Sequence, residues 1–233
     1  MNKILLLLSL TVITIFISCD TEHGSGNIIS VQKSVPEFNA VSVSGGITAE
    51  LRNGPQKVVI EADDNLMEYV KAEVENGRLK ISTGNKSIRD ADIRVFITAP
   101  SIRRVSGSAG AEISIKDELR SANRIHLESS SAAEIDGRVD APGVELSASS
   151  GSELKVNGRT RNLKIDASSG SEIEAFGLMA ESSDVSASSG AKVEVHASVA
   201  LNAEASSGAG IKFRNGGEVS IKQSSGGTVS KAN

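Results

Sequence analysis

Tryptophan is absent from this 233-residue chain, tyrosine and cysteine occur once each, and proline occurs four times. With aromatics at 3%, the interior cannot be built on stacked rings, and strong sugar stacking on an aromatic platform is excluded. A single cysteine rules out a disulfide framework and a Cys-based zinc site. A net charge of −4 leaves no basic surface for nucleic acid or for anionic lipid. Also missing are G-x-S-x-G, G-x-x-x-x-G-K, H-E-x-x-H and the glycine–aspartate calcium repeat. No cofactor, metal or catalytic residue is therefore expected.

What the chain does contain is Val, Ile, Leu, Ala and 22 glycines, arranged in a repeat. Aligned on the third residue of a Ser-Ser-Gly phrase, Gly110, Ala132, Gly151, Gly170, Gly190, Gly208 and Gly226 follow at spacings of 22, 19, 19, 20, 18 and 18. Between the phrases the alternation is strict. Leu163, Ile165, Ala167, Ser169, Ser171 and Ile173 share one parity, and Lys164, Asp166, Ser168, Gly170 and Glu172 share the other. Residues at i, i+2 and i+4 line one face of a strand but wrap around a helix. An antiparallel meander would not need the same residue at the same point of every turn. Stacked parallel rungs do need it, because equivalent positions lie above one another at about 4.8 Å.

The predicted fold is all-β, a single-stranded parallel β-helix of two main sheets joined by tight Ser-Ser-Gly turns. Right-handed coiling is the default for parallel crossovers. Parity places Ser150, Ser169, Ser189, Ser207 and Ser225 inside a narrow bend, with Ser149, Ser168, Ser188, Ser206 and Ser224 outside. Residues 101–230 read as the repeat array and 31–100 as a less regular start with one excursion. In that start, Val58-Val59-Ile60 reads as a strand and Asp63-Asp64-Asn65 as the cap of a short helical turn. Asn76-Gly77 closes a type I′ hairpin.

The N-terminus carries a second signal. Asn2 and Lys3 precede an apolar run over residues 4–17 and then Ser18-Cys19, the outline of a short secretory signal. Phe16-Ile17-Ser18-Cys19 resembles the lipobox of bacterial lipoproteins, with Phe16 where leucine is usual. The resemblance implies a signal peptide over 1–18, acylation at Cys19 and a membrane partner reached through the lipid anchor. Each buried methylene of an acyl chain contributes about 0.8 kcal/mol. Residues 19–30 read as a flexible polar tether leading into a β-helix domain over 31–233.

Phe38-Asn39-Ala40-Val41-Ser42-Val43-Ser44-Gly45-Gly46-Ile47, the Asn76-Gly77 hairpin, Pro100-Ser101-Ile102 and the Ser-Ser-Gly array together resemble the head GIN domain family of putative autotransporter adhesins, common in Bacteroides-like bacteria. Thr48 stands where the family name leads one to expect asparagine. The resemblance implies a two-sheet β-helix without recognised catalytic residues and an adhesive role at the cell envelope. An outer-membrane anchor and exposure at the cell surface are expected on the same ground, with Asp20 and Glu22 after the cysteine consistent with surface export.

Three functions are weighed. The first is a lipoprotein adhesin presenting a repetitive polar surface to a host or matrix glycan or protein. The second is a structural envelope protein that assembles with itself, and the third a polysaccharide-acting enzyme. For the enzyme, the only array to consider is the outward ladder Glu112, Glu134, Glu153 and Glu172. Adjacent pairs about 5 Å apart repel by about 0.8 kcal/mol in water, which a solvated face tolerates. A calcium site there would need further ligands that no loop supplies. His126 and His196 fall at different points of their repeats, and Asp63-Asp64 suits a cap better than a catalytic pair. For self-assembly, the last rung, Ile221, Gln223, Ser225, Gly227 and Val229, has few residues after it. A homo-oligomer through the C-terminal rungs is therefore expected.

Overall fold

The computed structural model describes residues 21–84, 86–89 and 91–232. Cys19 and the signal segment 1–18 lie outside the described residues. Every regular element described is a strand.

Two parallel ladders form the body. In the first, Ala40–Ser44, Arg104–Ser108, Ile125–Ser129 and the C-terminal part of Glu134–Ala148 stack in register. The ladder continues through Glu153–Ala167, Leu178–Ala187, Ala200–Ala205 and Glu218–Gln223. In the second, Thr48–Asn53, Glu112–Ile115 and the N-terminal parts of the same two long strands precede Glu172–Ala175, Lys192–Ala197, Gly210–Asn215 and Thr228–Lys231. Glu134–Ala148 and Glu153–Ala167 each bend around a corner and serve both ladders. The parallel coil expected from the repeat is therefore the fold.

Register turns the alternation into columns. Val41, Val105, Leu127, Leu146, Ile165, Val185 and Ala203 lie one above another, each buried. Ala49, Ile113, Ile135, Leu154, Ile173, Val193 and Ile211 face them from the second ladder. Burying each large aliphatic side chain contributes about 1.5–3 kcal/mol. A slip by one residue would turn every such side chain outward, so the core itself fixes the pairing.

The Ser-Ser-Gly phrase has a different geometry from the one parity suggests. Ser150, Ser169, Ser189, Ser207 and Ser225 are exposed, with φ between 46° and 56°, and the following glycines lie between 69° and 78°. Two successive left-handed residues make a type I′ turn, closed by bonds such as Ser171 N to Ser168 O at 3.2 Å and Ala191 N to Ser188 O at 3.1 Å. The turn points its second residue outward, and the small interior positions fall two residues to either side. Beside these turns, Ser129, Ser152 and Ser171 are buried. Ser152 donates to Ser129 O at 2.8 Å and Ser171 to Ala148 O at 2.9 Å, each reaching the rung before it. Successive turns are also stitched together, Gly151 N to Ser169 O at 3.1 Å and Gly170 N to Ser189 O at 3.0 Å.

The N-terminal region begins the coil and carries an excursion, as expected, and the excursion reorders the first strands. The chain lays down Ala40–Ser44 and Thr48–Asn53 first, leaves the coil, and returns to place Arg78–Ser82 and Arg94–Ala99 on the outer side of that rung. It then crosses to Arg104–Ser108 on the other side, so spatial order departs from chain order. The strand predicted at Val58-Val59-Ile60 belongs to Lys57–Asp63, which runs antiparallel to Arg94–Ala99 and closes that edge. The hairpin at Asn76-Gly77 pairs Lys71–Glu75 antiparallel with Arg78–Ser82, as the turn residues predict.

Residues 21–30 are not a free tether. Thr21–His23 pairs with Ser87–Arg89, and Ile28–Lys33 pairs antiparallel with Lys57–Asp63, because an edge rich in unpaired amides recruits nearby extended chain. Nor do the Asp63 and Asp64 carboxylates chiefly cap the turn after them. Asp63 accepts Gly26 N at 2.6 Å, while Asp64 accepts the Ser25 hydroxyl at 2.6 Å and the Asn27 amide at 2.9 Å. The Asp64 carboxyl is held below its usual range by these bonds, Ser25 first. Together they pin residues 25–27 to the cap.

Candidate functional site

Outward positions obey the same register as the core, so the surface is a set of straight columns. On the first ladder, Glu128, Ser147, Asp166, Ser186 and Glu204 form one column. Beside it run the first residues of the turns, Ser149, Ser168, Ser188 and Ser206. The two columns line an open groove of about 520 Å³, whose floor includes Ala148, Ala167 and Ala187. These are the outward turn serines that the sequence singles out. Ser224 is exposed on the last rung and does not line it.

The groove lining holds three carboxylates, Glu128, Asp166 and Glu204, and no basic side chain. Lys164 reaches Asp166 at 3.1 Å, and that contact raises the lysine pKa. His126 lies 3.8 Å from Glu128 and 3.2 Å from Glu145, which also takes Arg124 at 2.6 Å. The turn hydroxyls repeat at each rung, about 4.8 Å apart, while carboxylates alternate with serines along the neighbouring column. Such a surface can accept and donate hydrogen bonds along an extended polar ligand without any single deep pocket.

On the second ladder, Glu112, Glu134, Glu153 and Glu172 stack directly, followed by Lys192. Burial first, then the Glu134, Glu174 and Glu172 charges, push the Glu153 carboxyl above its ordinary range, against the pull of Lys155. Lys155 is itself 3.1 Å from Glu174. Among the described residues, no group of three or more His, Cys, Asp or Glu converges so as to hold a metal ion. The ladder is a charged face, spread along the coil.

Glu153 gives this face a pH dependence. The folded chain holds the Glu153 proton more tightly than the unfolded chain does. Stability therefore falls as pH rises from the ordinary value of 4.5 through the raised one, and stays lower above it. Glu153→Gln is expected to raise Tm by about 2 °C at pH 7 and to leave it unchanged near pH 3. Thermal melts of the two proteins at both pH values check this.

Sequence reasoning missed two features. His196 is half-buried at the corner, its Nε2 at 3.0 Å from the Asn215 amide and its Nδ1 buried with no partner. Phe176 lies under the Arg214 guanidinium at 4.2 Å, a contact between two rungs that spacing alone does not reveal. Neither His196 nor Phe176 lines the groove.

Comparison with known proteins places this geometry in company. The family model described as "Putative auto-transporter adhesin, head GIN domain" matches residues 37–217. No curated protein shows significant similarity to the chain. A putative adhesin from Bacteroides fragilis superposes with a TM-score of 0.85 at 17% identity, over 91% of this chain and 100% of that one. A putative adhesin from Parabacteroides merdae gives 0.73 at 17% identity, over 92% and 100%. A putative lipid binding protein from Parabacteroides distasonis gives 0.71 at 18% identity, over 91% and 100%.

Proposed function

Matched over residues 37–217, the chain belongs to the head GIN domain family of putative auto-transporter adhesins, and from that membership we propose that it is a cell-envelope adhesin. Its contact surface is the groove between the Glu128–Glu204 column and the turn serines. The observation that carries this reading is the groove's regularity. The same small polar side chains return on successive rungs, which suits an extended ligand bound by many weak contacts. The ligand class is a glycan or an extended protein segment of the host or matrix, recognised by hydrogen bonding, because no aromatic residue lines the groove. The chain acts by binding and is not an enzyme.

On this reading Cys19 is acylated and holds the protein to the outer membrane, facing outward. The short link from Cys19 to Thr21 sets the antiparallel cap nearest the lipid and leaves the groove clear of it. Cys19→Ala is expected to abolish recovery in the membrane pellet; a processed mutant still in the pellet would end the anchoring proposal.

The binding itself is tested by presenting the full-length chain, in detergent micelles, to arrays of glycans and matrix proteins. Saturable binding to one ligand class is expected. Signal no higher than that of empty micelles on every ligand would overturn the adhesin reading and favour a structural envelope role.

A further inference from the structure

The two ends of the coil differ. At the N-terminal end the outermost strands, Ile28–Lys33 and Lys71–Glu75, are antiparallel additions. At the other end Glu218–Gln223 and Thr228–Lys231 each have one strand neighbour among the described residues, on the inner side only. All six residues of Glu218–Gln223 are exposed, including Val219 at 38% and Ile221 at 44%, although both continue buried core columns. Gln223 stands over Ala205 and donates to Val229 O at 3.2 Å, a single polar strut across an open core. A strand edge of this kind, flat and with apolar residues on its inner face, is a template for another strand.

We infer that Glu218–Gln223 docks against the same strand of a second copy, antiparallel about a two-fold axis through Ser220. The sequence of the strand selects this partner. With Ser220 facing Ser220, Glu218 of each copy faces Lys222 of the other on the outer surface. Val219 faces Ile221 on the core side, so both the charges and the apolar residues match twice over. A slip by one residue would set core positions against outward ones. A slip by two, to Val219 on Val219 or Ile221 on Ile221, keeps the faces but removes both ion pairs. The axis is normal to the sheet, so the first ladder continues across the junction into the second copy. The apolar core then runs through the pair, with the two antiparallel caps at opposite poles. The strand lies just beyond residues 37–217, the region that the family model matches.

Disulfide trapping tests the register in the full-length chain in its own membranes. Ser220→Cys places two thiols across the axis and is expected to give an oxidised dimer well above the background of the parent chain, which carries only Cys19. Ser114→Cys, mid-coil on the second ladder, is expected to give background alone. Adding Lys222→Glu sets like charges together at two places and is expected to lower the trapped fraction about tenfold. The swap Glu218→Lys with Lys222→Glu is expected to restore it. Absence of a Ser220→Cys dimer, or a dimer indifferent to both charge changes, would overturn the proposal. A variant that merely misfolds would not be rescued by the swap.

Discussion

Gly158→Ala is expected to destabilise the coil by about 4 kcal/mol and to lower Tm by roughly 10 °C. Gly158 sits in Glu153–Ala167 where the long strand rounds the corner, with φ at 124°, a conformation that side chains rarely adopt. A Cβ built there would lie 1.9 Å from Val139 O, and 2.9 Å from both the carbonyl carbon and the amide nitrogen of Val139. These are backbone atoms of the neighbouring rung, so relief requires the rungs to part. On its other side Gly158 N already donates to Gly177 O of the next rung at 2.9 Å, so there is no free space to move into. Gly177→Ala is the control. Its new Cβ would also meet an oxygen at 1.9 Å, but that oxygen belongs to the Asn157 side chain, which can swing away. A cost of about 1 kcal/mol is expected there. Chemical denaturation of both variants measures the difference; equal midpoints would mean the corner is not the tight place described.

Ser171→Leu is the second large effect, expected at about 2 to 4 kcal/mol. Ser171 is 1% exposed, and its hydroxyl donates to Ala148 O at 2.9 Å. Leucine removes that bond, worth about 1 kcal/mol, and forces a large side chain into a space shared with alanines, at about 1 to 3 kcal/mol. Ser169→Leu, two residues away at the exposed left-handed position, is expected to cost only about 1 kcal/mol, from local backbone strain. If the two melts coincide, the assignment of interior and exterior at the turn is wrong.

That pair of residues shows where sequence reading succeeds and where it stops. Parallel stacking forces equivalent positions into columns, so a period near 19 and a strict alternation reveal the fold, the core and the Glu112 to Glu172 ladder before any coordinates. Within the turn the same alternation misleads. Ser169 and Gly170 both adopt positive φ, and the chain reverses over these two exposed residues. Parity counted straight through therefore puts Ser169 inside, where Ala167 and Ser171 actually lie. The phrase Ser-Ser-Gly is a turn signature first, as Asn76-Gly77 is at the hairpin. The outward turn serines were legible for the opposite reason: they are the last residues before the reversal, still within the strand's alternation.

The N-terminal cap was less legible because its partners are distant in the chain. Nothing local to Arg78–Ser82 shows that Ala40–Ser44 will lie between it and Arg104–Ser108. Likewise Gly26 and Asp63 meet only because an antiparallel pair brings them together, so a polar stretch reads as a tether until its hydrogen bonds are seen. The groove sits between these extremes. Its residues could be named from the repeat, whereas its concavity comes from the step between strand and turn, a property of the folded coil.

Adhesion by cells carrying groove variants tests the central claim most directly. Asp166→Arg with Ser186→Arg fills adjacent rungs of the Glu128–Glu204 column with long cationic side chains. Ser114→Arg with Asp136→Arg makes the same change in charge and size on adjacent rungs of the second ladder. The measurement is attachment of cells to the ligand class found on the arrays, at matched surface levels of each protein. Loss of attachment with the groove pair and retention with the opposite-face pair is the predicted result. Equal attachment by both variants, or loss confined to the opposite face, would contradict the assignment of the turn-column groove as the adhesive surface.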